Sequence, residues 1–194
     1  MPILGDTEAT MGLETLSPPM SADSSGSVRC SSSYPQSGYT QDDTELTHRL
    51  IYHFFSACFP DFSFICKERF MRDLNEGTGR YSSPALLNAI LGLASQSYET
   101  STQACSSAHF FLEARQLSMN LTRPSLTDIQ TLGILSLSEA HLGHDESAFQ
   151  LSVECARNAV LFKMNADSEN AQTDDPGYRE AAATTFCGAF SLIK

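Results

Sequence analysis

Residues 124–165 read PSLTDIQTLGILSLSEAHLGHDESAFQLSVECARNAVLFKMN, the pattern of two helices joined by a tight turn. Ser125 is a strong N-cap, and Asp128, three positions on, suits the positive end of the helix dipole. The first helix is expected to run to about Leu142, where Gly143 can take the left-handed turn that closes a helix. Asp145 is expected to cap a second helix running to about Met164. On that helix Ala148, Ser152, Cys155, Ala156 and Ala159 form a stripe of small residues, which lets two helices approach closely.

Working towards the N-terminus, YSSPALLNAILGLASQSY (81–98) gives another helix. Ser83 is placed to cap it and Pro84 fits its first position. Leu86, Leu87, Ile90, Leu91, Leu93 and Ala94 leave almost no polar face, so burial on several sides is expected. Ala104 to Leu121 gives the next helix, with Ala108, Phe111, Leu112 and Ala114 turned to the core and Arg123-Pro124 closing it. Before these, TELTHRLIYHFFSACF (44–59) places Leu46, Leu50, Ile51, Phe54, Phe55 and Cys58 at helical spacing. Phe59-Pro60 breaks that helix. FSFICK then reads as extended, Lys67 to Leu74 as a short helix, and Asn75, Gly77 and Gly79 as a loop. Residues 165–177 are polar, and a last helix begins near Tyr178. The expected fold is all-α: an irregular bundle of about six helices over residues 44–194, built from helix hairpins. A weak repeat with a period of about 40 residues relates FFLEARQL (110–117) to FQLSVECARNAV (149–160), too few units to define a solenoid.

Residues 1–43 are different material. They hold nine serines, four prolines and a net charge of −5. So few large apolar side chains cannot offset the entropy of ordering, and a disordered acidic tail is expected. The whole chain of 194 residues is 41% hydrophobic and carries a formal charge of −11, with a pI near 4.7. Without a clustered Lys/Arg face it is a poor match to nucleic acid, whose phosphates need one. No stretch approaches the roughly 18 apolar residues of a membrane span. The opening MPILGDTEATMG lacks the regions of a secretory signal, so an intracellular protein is expected. The six cysteines (Cys30, Cys58, Cys66, Cys105, Cys155 and Cys187) contain no CxxC pair and are read as reduced, mostly buried residues.

Candidate chemistry is sparse. GxSxG, GxxxxGK and HExxH are all absent. Glu139, His141, His144, Asp145 and Glu146 crowd the hairpin turn, but zinc needs three or four fixed ligands, and a polar turn is the expected reading. His48 and His53 do not share a helix face and are expected as partly buried polar tips. The acid pairs Asp42-Asp43 and Asp174-Asp175 are expected as solvated turn or capping residues rather than magnesium ligands. Cys66, beside Lys67 and Arg69, is expected as a structural thiol. Phe54, Phe55, Phe59, Phe62, Phe64 and Phe70 are expected in the core rather than around a ligand. No catalytic, cofactor-binding or metal-ligating residue is assigned.

Three blocks, in order, resemble the regulatory domain (middle homology region) of fungal zinc-cluster transcription factors. The first is Phe54 to Leu74, with its Phe-Pro break and Phe-x-x-x-Leu ending. The second is YSSPALLNAILGLAS (81–95). The third is the hairpin, joined by TTFCGAFSLIK (184–194), where the family usually reads Thr-Phe-Trp-Gly-Ala-Phe-Ser-Leu-Asp-Arg. Ile129-Gln130 and Leu135-Ser136-Leu137 are similar to the nitrate-assimilation activators. The chain departs from the pattern at Cys187, where Trp is usual, and at Ile193-Lys194, where Asp-Arg is usual. The zinc cluster of such relatives matches nothing here, so zinc and direct DNA contact are expected only through a module outside this chain. The resemblance also implies that residues 44–194 are the N-terminal part of a regulatory domain truncated at its C-terminus. It implies a nuclear, non-catalytic role in transcription, with coregulators or other parts of a transcription factor as partners and a small-molecule effector possible. A stand-alone helical interaction module, or a truncated product without its own role, are the alternatives.

Overall fold

A computed structural model describes residues 41–58, 64–98, 104–118, 123–169 and 175–193. The tail up to residue 40, Phe59, Pro60, Phe62, Asp174 and Lys194 lie outside them. Among the described residues there are seven α-helices and no strand: α1 (Gln41–His53), α2 (Lys67–Glu76), α3 (Pro84–Ser97), α4 (Ala104–Ser118), α5 (Leu126–His141), α6 (Asp145–Glu169) and α7 (Pro176–Ser191). A π-helical turn, Phe54–Cys58, continues α1. The all-α expectation holds, with one helix more than the approximate six. No described helix is long and apolar enough to cross a membrane.

The helix ends follow local chemistry. Ser83 Oγ accepts the Leu86 N–H at 3.2 Å, with Pro84 at the first position of α3. Ser125 and Asp128 form a full capping box at the start of α5: Ser125 Oγ accepts the Asp128 N–H at 3.2 Å, and Asp128 Oδ2 accepts the Ser125 N–H at 2.8 Å. Gly143, with φ of 77°, turns the chain between α5 and α6. Asp145 is the first residue of α6 rather than its cap. Asp175 caps α7 two residues earlier than the sequence suggested, its Oδ1 accepting the Gly177 N–H at 2.9 Å.

Two antiparallel hairpins form the middle of the domain. α3 packs on α4, α5 packs on α6, and α3 and α5 pack on each other. α1 covers α3, while α7 lies against α5 and α6. The central position of α3 and α5 explains their sequence. Nine residues of α3 and thirteen of α5 are buried, including polar Thr127, Gln130, Thr131 and Ser138 on α5. Phe54, Phe70, Leu86, Ile90, Ile129, Ile134 and Leu135 are fully enclosed. The small-residue stripe of α6 faces α5 as expected, with Ala148, Ser152, Cys155, Ala156 and Ala159 all buried.

Expectations for α4 and α7 fail as well. On α4, Ala108 and Leu112 lie outside, Leu112 with 56% of its surface exposed. The inward face of α4 follows Ser107, Phe110, Phe111, Ala114 and Ser118, and Leu112 falls off that stripe. Cys187 is exposed as well, because α7 turns Ala181, Thr185, Gly188 and Ala189 inward. Of the described cysteines, all free, only Cys155 is buried; Cys58 is half-buried and Cys66 exposed.

Candidate functional site

The residues that crowd the hairpin turn do not converge. His144 Nδ1 lies 3.1 Å from Glu139 Oε2, but His141, Asp145 and Glu146 are exposed around the turn, and Glu146 Oε1 accepts from Gln150 Nε2 at 2.8 Å. Among the described residues no three His, Cys, Asp or Glu side chains are gathered as a metal would need, so the residues present do not fit a zinc cluster. His48 is exposed, contrary to expectation, because it lies off the Leu46–Leu50–Phe54 stripe of α1. His53 is partly buried, its ring edge-on to Tyr98 at 5.4 Å. Asp42 and Asp43 fall in the first turn of α1 rather than in the tail. Cys66 precedes α2, its thiol donating to Glu68 Oε2 at 3.3 Å. That thiol and the backbone N–H of Glu68 itself hold the Glu68 carboxyl below its ordinary range, the backbone N–H contributing most.

What the fold does bring together is the first sequence block and both parts of the third. Phe64, just before α2, sits between α5 and α7. Its carbonyl accepts from Gln130 Nε2 at 2.9 Å and from Thr185 Oγ1 at 3.1 Å, and Gln130 Nε2 also reaches Thr185 Oγ1 at 2.9 Å. All three residues are buried. The Phe64 ring needs two glycines. A Cβ on Gly188 would stand 2.6 Å from Phe64 Cβ, and one on Gly133 would stand 2.9 Å from Phe64 Cζ. Below this, Cys155 Sγ donates to the Ile129 carbonyl at 3.2 Å, and burial pushes its thiol pKa up to about 12. Phe54 and Phe70 are buried beside half-buried Phe55, whose ring lies 5.0 Å from Phe54 and 5.8 Å from Phe70. The described part of the aromatic group is therefore core.

A second junction fastens α2 and the following loop to α7. Asp73 is buried, and its carboxylate accepts from the N–H groups of Tyr81 and Ser82, each at 2.6 Å, from Ser82 Oγ at 3.1 Å, and from the Thr78 hydroxyl. Arg69 donates to the Gly177 carbonyl and to Glu180 Oε2 at 2.9 Å. Arg80 pairs with Asp175 at 3.4 Å and lies 4.4 Å from the Tyr178 ring centre. The Gly177 N–H is the main reason the Asp175 carboxyl stays below its usual range, with the Tyr178 N–H and Arg80 adding to it. Burial and the neighbouring Asp175 charge raise the Tyr81 phenol. Every group in this cluster is engaged with another, an arrangement that positions helices rather than substrate.

The sequence reading passed over one surface. Besides its small-residue stripe, α6 carries Phe149, Val153, Val160 and Met164, all exposed, at 56%, 42%, 40% and 61%. Their spacing was the available signal: on a helix of 3.6 residues per turn they fall within about 60° of one another.

A family model described as the fungal specific transcription factor domain matches residues 51–192. The nitrogen assimilation transcription factor nirA of Emericella nidulans is 28% identical over 164 residues, covering 79% of this chain and 18% of the relative. The notoamide biosynthesis transcriptional activator notL' of Aspergillus versicolor is 35% identical over 158 residues, covering 77% of this chain and 25% of the relative. The chain thus spans a quarter or less of the curated relatives it matches. No solved structure matches. The Phe64–Gln130–Thr185 junction joins parts of the matched region far apart in sequence, and the match covers α2 to α7 and the last three residues of α1: this chain belongs to the fungal specific transcription factor domain family.

Proposed function

We propose that the folded part of this chain is a regulatory, non-catalytic segment that acts in the nucleus on RNA polymerase II transcription through contacts with other proteins. The observation that carries this reading is the family match over residues 51–192, together with relatives named as a transcription factor and a transcriptional activator. The chemistry of the fold supports it. The polar clusters around Asp73 and around Arg80 and Asp175 are engaged among themselves and, like the Phe64–Gln130–Thr185 junction, join elements of the fold rather than line a cleft. With a net charge of −11 the chain does not offer the basic surface that phosphates need, so DNA contact is assigned to another module. The folded part acts without a bound metal.

The test is to fuse the chain to a heterologous DNA-binding domain and read a reporter in a filamentous fungus, alongside a fluorescent fusion for location. The expected result is a nuclear pool and reporter output shifted severalfold, up or down, from the DNA-binding domain alone. A cytoplasmic protein that leaves the reporter unchanged would sink the reading.

A further inference from the structure

α7 has a weak apolar hold on the rest of the fold. Its buried residues are Ala181, Thr185 and Ala189, none of them large, against thirteen buried residues on α5. Phe186 and Leu192 reach the core only in part. Apolar stabilisation follows the area removed from water, so small side chains supply little of it. Charged and polar groups supply more, and they gather at the N-terminal turn of α7. Arg69 donates to the Gly177 carbonyl and to Glu180, Arg80 pairs with Asp175 and lies over the Tyr178 ring, and the Tyr81 hydroxyl donates to Asp175 Oδ2 at 3.4 Å. These pairs stand partly in water, where salt screens them.

The surface beneath α7 is built to survive its departure. Gln130 Nε2 bonds the Phe64 carbonyl without help from α7, so the segment before α2 stays fastened to α5 when Thr185 leaves. The other end of the same amide, Gln130 Oε1, is buried with no hydrogen-bond partner. An unmet acceptor in the interior is costly. Opening α7 lets water reach that oxygen and take the place of Thr185 Oγ1, which offsets part of the cost of opening. The area uncovered is the Phe64 ring on Gly133, which Leu192 now overlies: its Cδ1 stands 3.3 Å from where a Cβ on Gly133 would be. We infer that α7 is a lid that opens as a unit, ahead of global unfolding, and bares the Phe64–Gly133 patch of α5. The Arg69–Arg80 clasp sets how often it opens.

Native-state hydrogen exchange on the whole chain tests this. After correction for intrinsic rates, amides at 181–189 in α7 should exchange at least ~100-fold faster than those at 129–136 in α5. Raising sodium chloride from about 20 mM to about 0.5 M should quicken α7 about 3-fold and leave α5 unchanged. Arg69→Gln with Arg80→Gln should quicken α7 about 10-fold, again without touching α5. Protection retained in α5 would show that the variant is still folded; if it is lost, the salt series on the unaltered chain decides. A common exchange rate for α7 and α5 overturns the inference. So does an effect of salt or of the substitutions spread equally over all helices, or α7 exchange that responds to neither.

Discussion

Gln130 donates its side-chain N–H to the backbone carbonyl of Phe64, 66 residues away, at 2.9 Å in a fully packed interior. Thr185 is the third member, donating to the same carbonyl and accepting from the same amide. A buried network of this kind is worth more than its separate bonds, because removing one member strands the others. Gln130→Ala is expected to cost about 2–4 kcal/mol, from the lost hydrogen bonds and the space left behind. Thr185→Val should cost about 1–2 kcal/mol. The double variant should fall short of the sum by about 0.5 kcal/mol or more, measured by urea denaturation. Additive effects would mean that the two side chains act independently.

The glycines around Phe64 should respond differently to the same change. At Gly133 an added methyl meets the far end of the Phe64 ring at 2.9 Å, whereas at Gly188 it meets Phe64 Cβ at 2.6 Å. Both alanine variants should lose about 1–3 kcal/mol through overpacking. Shortening the ring with Phe64→Leu removes the atom that clashes with Ala at position 133 but keeps the Cβ that clashes at 188. Part of the loss in Gly133→Ala should therefore be recovered in the Phe64→Leu background, and none of the loss in Gly188→Ala. Melting temperatures of the four variants against Phe64→Leu alone check this.

The elements of this fold were legible because their signals are local. Ser83, Ser125 with Asp128, and Gly143 mark helix ends by satisfying backbone groups within a turn, and the structure shows each in that role. The small residues of α6 signalled close packing for the same reason. What periodicity does not carry is which partner a face meets. Leu112 lost its place in the core because α4 meets α3 along Phe110, Phe111 and Ala114. Cys187 turned outward because Gly188 had to face Phe64. Gln130 and Asp73 read as ordinary polar residues, since the groups they satisfy are tertiary for one and in the next loop for the other. The exposed stripe on α6 was hidden by the buried one, because two apolar faces on one helix blur each other's period.

Asp73 gathers the loop after α2. Its carboxylate holds two backbone N–H groups and two hydroxyls, and its own carbonyl accepts the Gly77 N–H at 2.7 Å, where φ of 69° suits glycine. Asp73→Ala leaves the Tyr81 and Ser82 donors without their partner just ahead of the Ser83 cap. A loss of about 2–4 kcal/mol is expected, since bonds to a charged acceptor are the stronger kind. Hydrogen exchange should quicken first at residues 77–83 and in the opening turn of α3. Uniform acceleration across all helices, with no excess in this loop, would show that Asp73 does not hold the loop in particular.

Cys155 gives a prediction with a definite sign on the alkaline side. Its thiol is buried against the Ile129 carbonyl, and burial raises its pKa from an ordinary 9.0 to about 12. Below pH 9 the thiol is protonated in both folded and unfolded chains, and its contribution to stability is fully present. Between pH 9 and about 12 the unfolded chain has released the proton and the folded chain has kept it. The unfolded state then binds one proton fewer, so stability falls with rising pH by about 1.4 kcal/mol per unit from this group. Cys155→Ala removes that contribution while keeping a small apolar side chain on the stripe. Urea denaturation at several pH values above 9 should therefore give the variant a slope shallower by about one proton, even if it is less stable at neutral pH. Site-resolved alkylation at pH 8 gives an independent reading: Cys66 and Cys187, both exposed, should react with iodoacetamide well before Cys155 does. Equal alkaline slopes, with Cys155 alkylated as fast as Cys66, would mean that the α5–α6 interface opens to water within the folded state.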